Sequence, residues 1–263
     1  MVWRDFAAPV LSDVPHNVRA ICEYGFTEML NNVVDHSGSE NVAIKVERGS
    51  DAISIRITDR GVGIFNKIKD ACGLEDVRHA VFELTKGKLT TDPKRHTGEG
   101  VFFTSRMFDD FSILSSSLFL AHEREGDDWL LHDRDDTSPG THVTLTISPT
   151  STHTHKEVFE KYAAEQGDYA FNKTHVAVKL AKTGEETFVS RSQAKRIVAR
   201  LERFKEVILD FENINEIGPA FADEIFRVFA TDHPSTLIVP INTNEQVTKM
   251  IRRAESHSTG THS

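Results

Sequence analysis

The sequence predicts an α/β protein: a two-layer α/β sandwich followed by a smaller α/β domain. Three observations predict it. A helical apolar stripe of Cys22, Phe26, Met29, Leu30 and Val33 precedes two alternating segments, residues 43–46 and 53–57. Two glycine turns follow, Asp59-Arg60-Gly61-Val62-Gly63 after a strand and Thr97-Gly98-Glu99-Gly100 at a helix start. Beyond residue 170, short apolar strands alternate with capped helices.

The first helix is expected from about Asp13, with Pro15 in its first turn, to His36, ending at Ser37-Gly38. Glu28, Asn32 and His36 are spaced by four and share a stripe distinct from the apolar one. Residues 41–47 and 51–59 read as a hairpin turning at Gly49-Ser50, each strand with one buried face. Helix is expected over 65–85 with a break near Gly73, then a polar mobile loop over 86–97. A helix opens at Gly98 and runs to about Asp109. Four strands are expected near 111–116, 118–123, 129–132 and 141–147.

Residues 149–155 are polar and without periodicity, which reads as a linker, and a helix is expected over 156–166. A strand at 175–180 leads to Ser190-Arg191-Ser192-Gln193, a capping box whose helix buries Ala194, Ile197, Leu201 and Phe204. Then come strand 207–211, helix 219–230, strand 236–239 and helix 245–254. The domain expectation is 1–148, a linker and connecting helix over 149–168, a second domain over 169–254 and a disordered tail over 255–263.

Composition narrows the class. With 38% apolar and 27% charged residues the chain reads as a globular protein, and no apolar run approaches the roughly 20 residues a membrane span needs. No membrane association or signal peptide is expected. Two cysteines, Cys22 and Cys72, make no disulfide framework and suggest a cytoplasmic protein. The net charge of −9 argues against nucleic acid as a partner. The basic helical side of Arg191, Lys195, Arg196, Arg200 and Arg203 reads as a solvated face, and His153, His155, His257 and His262 fall in floppy segments without a metal-ligand framework.

The short segments carry the chemistry. A strand-end Asp59 can accept a hydrogen bond from an exocyclic amine, while Gly61 and Gly63 let backbone approach a flat ring. Amides at a helix start near Gly98 and Gly100 suit phosphate oxygens. Glu28 can act as a base on water, and Asn32 can give an oxygen to magnesium. Each segment alone reads as an ordinary turn, loop or helix edge, and no P-loop segment is present.

Taken in order, Glu-x-x-x-Asn, Asp-x-Gly-x-Gly, Gly-x-Gly and Gly140-Thr141 resemble the GHKL or Bergerat-fold ATPases, over roughly residues 13–148. That family includes gyrase, heat-shock chaperones, histidine kinases and anti-sigma-factor serine kinases. The resemblance implies that ATP and Mg2+ are the cofactors. It makes Glu28 the water-polarising base, Asn32 the magnesium ligand and Asp59 the adenine contact, helped by Gly61, Gly63 and Thr141. Gly98 and Gly100 would face the phosphates, with Thr97 and Val101 in the same nucleotide-binding segment. A lid over about 85–96 would offer Lys86, Lys88 and Arg95 to phosphate. Asp35-His36 is closer to the anti-sigma kinases than to gyrase.

Residues 207–221 resemble a STAS-like domain, the partner fold of those kinases. The usual Asp-Ser-Ser-Gly is here Gly218-Pro219-Ala220-Phe221, and no Ser or Thr occurs from 203 to 230. The resulting expectation is a magnesium-dependent ATPase whose nucleotide state switches a STAS-like docking domain for a protein partner. The alternatives are an ATP-gated binding module with negligible turnover, and a serine kinase acting on a separate partner. A histidine kinase is not expected, since only a dozen or so residues precede the first helix. A homodimer is left open.

Overall fold

A computed structural model describes residues 2–90, 97–163, 170–182 and 186–256. The chain divides into two compact units, residues 1–161 and 162–263. Among the described residues no helix is long and apolar enough to cross a membrane.

The first unit begins with a short helical segment, Trp3–Ala7 and Ala8–Val10, that carries no clear periodic signal in the sequence. Helix α1, His16–Asn32, follows Pro15. It buries Val18, Ile21, Cys22, Phe26 and Met29, and a wider turn, Val33–Ser37, extends it to Gly38 at φ +66°. Leu30, expected in the core stripe, is only half-buried. Strands β1 (Val42–Arg48) and β2 (Ile53–Asp59) form the expected hairpin. β2 buries Ile53, Ile55 and Ile57 and exposes Arg56, so helices cover one face of the sheet. β1 is the sheet edge and is mostly exposed rather than half-buried. Its Lys45, Glu47 and Arg48 discourage further strand pairing there.

Helix α2 (Ile64–Cys72) stops at the left-handed Gly73, and α3 (Val77–Lys86) starts with Asp76 accepting the Arg78 N–H at 2.8 Å. Helix α4 spans Gly100–Met107. The next segment corrects the four-strand expectation. Two long strands, β3 (Asp110–Glu123) and β4 (Asp128–Ile147), pair as one hairpin, giving an antiparallel order β1-β2-β4-β3. A bulge at 115–118, with Ser116 at φ +57°, takes up the irregularity that reads as a strand break. Gly140 at φ +74° does the same opposite it, so Pro139-Gly140 bends the strand without ending it.

Helix α5, His155–Lys161, closes this unit. The segment before it is not floppy. Asn17 donates to the carbonyls of Ser151 and His153 at 2.8 and 2.9 Å, and His153 Nε2 donates to the Met107 carbonyl at 2.7 Å. The helix expected to residue 166 ends at Lys161 instead, because Tyr162 turns and Ala163 forms an isolated bridge with Phe171; residues 164–166 lie outside the described residues, as do His257, His262 and most of the expected tail.

The second unit is a three-stranded parallel sheet in the order β5-β6-β7: Lys173–Ala177, Glu206–Asp210 and Leu237–Ile241. The strand expected to reach 180 instead ends at Ala177 and tightens into a 3₁₀ turn, Val178–Ala181. Helix α6, Arg191–Val198, opens with the Ser190–Gln193 capping box. Helix α7 starts at Pro219–Asp223 and runs on through Glu224–Phe229 to Ala230–Asp232. Helix α8 is Glu245–Ser256. Val207, Leu209, Phe221, Ile225 and Val247 are fully buried, each worth about 1.5–3 kcal/mol of burial.

Candidate functional site

Asp59 ends β2 and is 2% exposed. Its Oδ1 accepts the Gly61 N–H at 2.7 Å, which folds the turn back on itself. Val62 N–H then donates to the Ser37 carbonyl at 2.9 Å, joining the turn to the end of α1. A Cβ at Gly61 would lie 2.0 Å from that carbonyl oxygen, so only glycine fits. Gly63, at φ +80°, sits where a Cβ would meet Ser115 Oγ at 2.7 Å. The bulge in β3 is the seat for this turn. Ser115 donates to the Gly140 carbonyl at 2.8 Å, Asn66 donates to Ser116 Oγ at 2.8 Å, and Thr141 Oγ1 accepts the Ile64 N–H at 3.0 Å.

Helix α1 brings Glu28 and Asn32 to the same place from another direction. Glu28 lies directly against the first residue of α4: a Cβ on Gly100 would be 2.1 Å from Glu28 Oε2. Between these elements is a cavity of about 370 Å³. That is a common size for a small-molecule site. Met29, Ile64, Leu84, Val101, Ile113 and Val143 give it apolar walls, and its polar lining includes Asp59, Thr141, Glu28, Asn32 and His36. A flat heteroaromatic ring suits the walls, and the start of α4 presents amides toward the same space.

Of the residues singled out from sequence, Glu28, Asn32, Asp59, Gly63, Thr97, Gly98, Gly100, Val101 and Thr141 line this one cavity. Gly61 shapes its turn without lining it. Lys86 requires a correction. It is fully buried, pairs with Glu83 at 2.6 Å and lies 4.5 Å from the Phe82 ring, because the last turn of α3 faces the interior. Thr85, at the start of the expected lid, is buried as well. Lys88 does not line the cavity; its charge acts on Glu99. Arg95 lies outside the described residues.

Lys67 was missed. Among the described residues it is the only Lys or Arg lining the cavity. Its signal was available: it sits four residues after Gly63, on the helix that the glycine turn opens. The acids near α4 are electrostatically tuned. Burial pushes the Glu99 carboxyl up, while the Lys88 charge and a Thr97 hydrogen bond work against that shift. Burial, followed by the charges of Glu28 and Glu99, raises the Tyr24 hydroxyl, so it stays protonated. Burial pushes the Cys22 thiol up to about 12, which leaves it unreactive. Among the described residues no group of three or more His, Cys, Asp or Glu side chains could hold a metal ion.

Residues 2–117 match the family described as the histidine kinase-like ATPase domain, and residues 193–248 match the STAS-like domain of unknown function (DUF4325). No curated protein matches the chain. The two matches fit a GHKL-type ATPase domain, which implies ATP binding, joined to a STAS-like domain.

Proposed function

We propose that the first unit binds ATP with magnesium and hydrolyses it, and that the nucleotide state switches docking of a protein partner by the STAS-like unit. One observation carries this reading: Asp59, Glu28 and Gly100, from three separate elements, line a single cavity. Asp59 accepts the adenine amine, with Thr141 beside it and the Gly61–Gly63 turn against the ring. Glu28 takes the proton of the attacking water as general base. The first amides of α4, with Gly98 and Gly100 leaving them open, hold phosphate oxygens. Thr97 and Val101 flank that contact, and Lys67 adds positive charge at the rim.

Asn32, one turn beyond Glu28, would give its side-chain oxygen to magnesium. A single amide oxygen fits this ion only when phosphate oxygens and water complete its shell. Held there, the ion would supply positive charge against the phosphates.

The absence of a hydroxyl from 203 to 230 supports a docking role without a phosphorylated switch residue in that segment. Ala220 stands at the start of α7, beside a surface depression of about 230 Å³ lined by Arg191, Asp223, Met250 and Arg253. A partner's side chains can occupy such a depression.

The test is to incubate the protein with γ-labelled ATP and magnesium, alone and with cell lysate. Release of free phosphate by the protein alone supports hydrolysis. Label on a second protein favours the kinase alternative, and no transfer at all leaves an ATP-gated binding module.

A further inference from the structure

The segment after the matched ATPase region is built into the site's two helices. Phe159, on α5, stands edge-on to Tyr24 with ring centroids 5.6 Å apart. It also packs on Phe103 with centroids 4.6 Å apart. Tyr24 lies on α1 one turn before Glu28, and Phe103 lies on α4 three residues after Gly100. One ring thus touches both helices within a turn of Glu28 and Gly100, which meet at the cavity's proposed phosphate end. The strap leading to it is pinned at both helices too, by Asn17 near the start of α1 and by the Met107 carbonyl at the end of α4.

We propose that Phe159 is a positioning residue for hydrolysis, setting the spacing of α1 and α4 that holds Glu28 against the amides at Gly100. This rests on reading the cavity as an ATPase site. Glu28 and Gly100 are already at contact distance, with no room for even a methyl group between them. A small separation of the helices therefore moves the base away from where the water must sit. Displacements of about 1 Å can lower rates on the order of a hundredfold. Adenine contacts at Asp59 and Thr141 come from β2 and β4, whereas the rings Phe159 packs on belong to α1 and α4, so affinity is largely spared.

The experiment compares full-length wild type with Phe159→Ala and Phe159→Tyr in steady-state ATP hydrolysis, analogue binding by calorimetry and thermal melting. The expected result for Phe159→Ala is a kcat lower by about tenfold or more, with the Kd for a non-hydrolysable ATP analogue changed less than about threefold. Phe159→Tyr, which keeps the ring, restores most of the turnover. Unchanged kcat in a folded Phe159→Ala protein overturns the proposal. So does a parallel fall in kcat, affinity and melting temperature that Phe159→Tyr does not rescue, since that is general packing. A wild type that binds nucleotide without turnover removes the hydrolysis reading and this role with it; an active wild type matched by Phe159→Ala removes this role alone.

Discussion

Asp59 and Asp210 occupy equivalent places in two different sheets. Each is the last residue of a strand with neighbours on both sides, β2 in the first unit and β6 in the second. Each accepts the N–H of the residue two further on, Gly61 at 2.7 Å and Glu212 at 2.9 Å. What surrounds them differs. Asp210 also accepts from Asn242 at 2.9 Å, and its other oxygen faces His175 Nε2 at 3.1 Å. Burial alone would raise its carboxyl, but hydrogen bonds from His175, the Glu212 amide and Asn242 outweigh that and hold it below the usual range. Among the described residues Asp59 has only its own turn, and beyond it the cavity. The same strand-end turn is thus a closed structural knot in one unit and an open acceptor in the other. Protein donors supplied at Asp210 are withheld at Asp59, and a ligand's donor can take their place.

The largest expected effect lies across the cavity from Asp59. Glu28→Ala should lower ATP turnover by about 10²–10⁴-fold while nucleotide still binds, because its role is with the water. Equal turnover in mutant and wild type would leave the cavity as a binding site only. Asp59→Asn comes next. An amide can turn a donor toward the adenine amine, and that mismatch should weaken ATP binding about ten- to a hundredfold. Asp210→Asn should leave ATP affinity unchanged. If calorimetry shows both substitutions weakening ATP alike, the contrast between open and closed aspartates is wrong.

Asp210→Asn should act on stability instead. Loss of the charged acceptor facing His175 should lower the melting temperature of the second unit by about 5 °C or more. The pH dependence follows from the direction of the shift. A carboxyl depressed below 3.8 contributes stability that is complete above that value and is lost as pH falls through its folded pKa. Acid titration of the unfolding midpoint should therefore be shallower in Asp210→Asn than in wild type below about pH 4. Identical acid limbs would show that Asp210 gains nothing from its partners.

The contrast was only half legible in the sequence. The strand, the glycine turn and the helical start of the first unit follow from alternation and from Asp-Gly spacing, and the capping box at Ser190–Gln193 formed where it reads. Nine of the expected site residues come together because the motifs are local, each carried by one turn or one helix face. What could not be read depends on distant partners. Lys86 is a local exception: it resembles an exposed lid lysine, but the last turn of its helix faces the interior, where Glu83 and Phe82, three and four residues before it, meet its ammonium. The bulge at Ser116 looks like a strand end, because its purpose is to seat a turn some 50 residues away in sequence, at Asn66. Residues 149–155 look like a linker because hydrogen bonds to Asn17 and Met107 leave no periodic trace. Asp210 resembles Asp59 at the level of the turn, and only His175 and Asn242, 35 and 32 residues away, separate the two.

Glu99 sharpens the comparison through an acid that is neither closed nor open. It precedes α4 by one residue, between the glycines of the phosphate end. Burial raises its carboxyl above 4.5, and Lys88 and Thr97 recover only part of that shift. For stability the sign is opposite to Asp210: the contribution is present below 4.5 and lost as pH rises through the folded pKa. For ligand binding, an ionised Glu99 opposes phosphate charge, and a protonated one does not. Glu99→Gln should therefore tighten ATP binding by about two- to fivefold near pH 7.5, a modest effect because the group is partly solvated. The advantage should shrink as pH falls and the raised wild-type Glu99 carboxyl takes up its proton. The ratio of the two dissociation constants cancels titration of the phosphates themselves. A ratio that stays flat as pH falls would mean that Lys88 and Thr97 already shield Glu99 from the cavity, making it a second closed carboxylate beside Asp210.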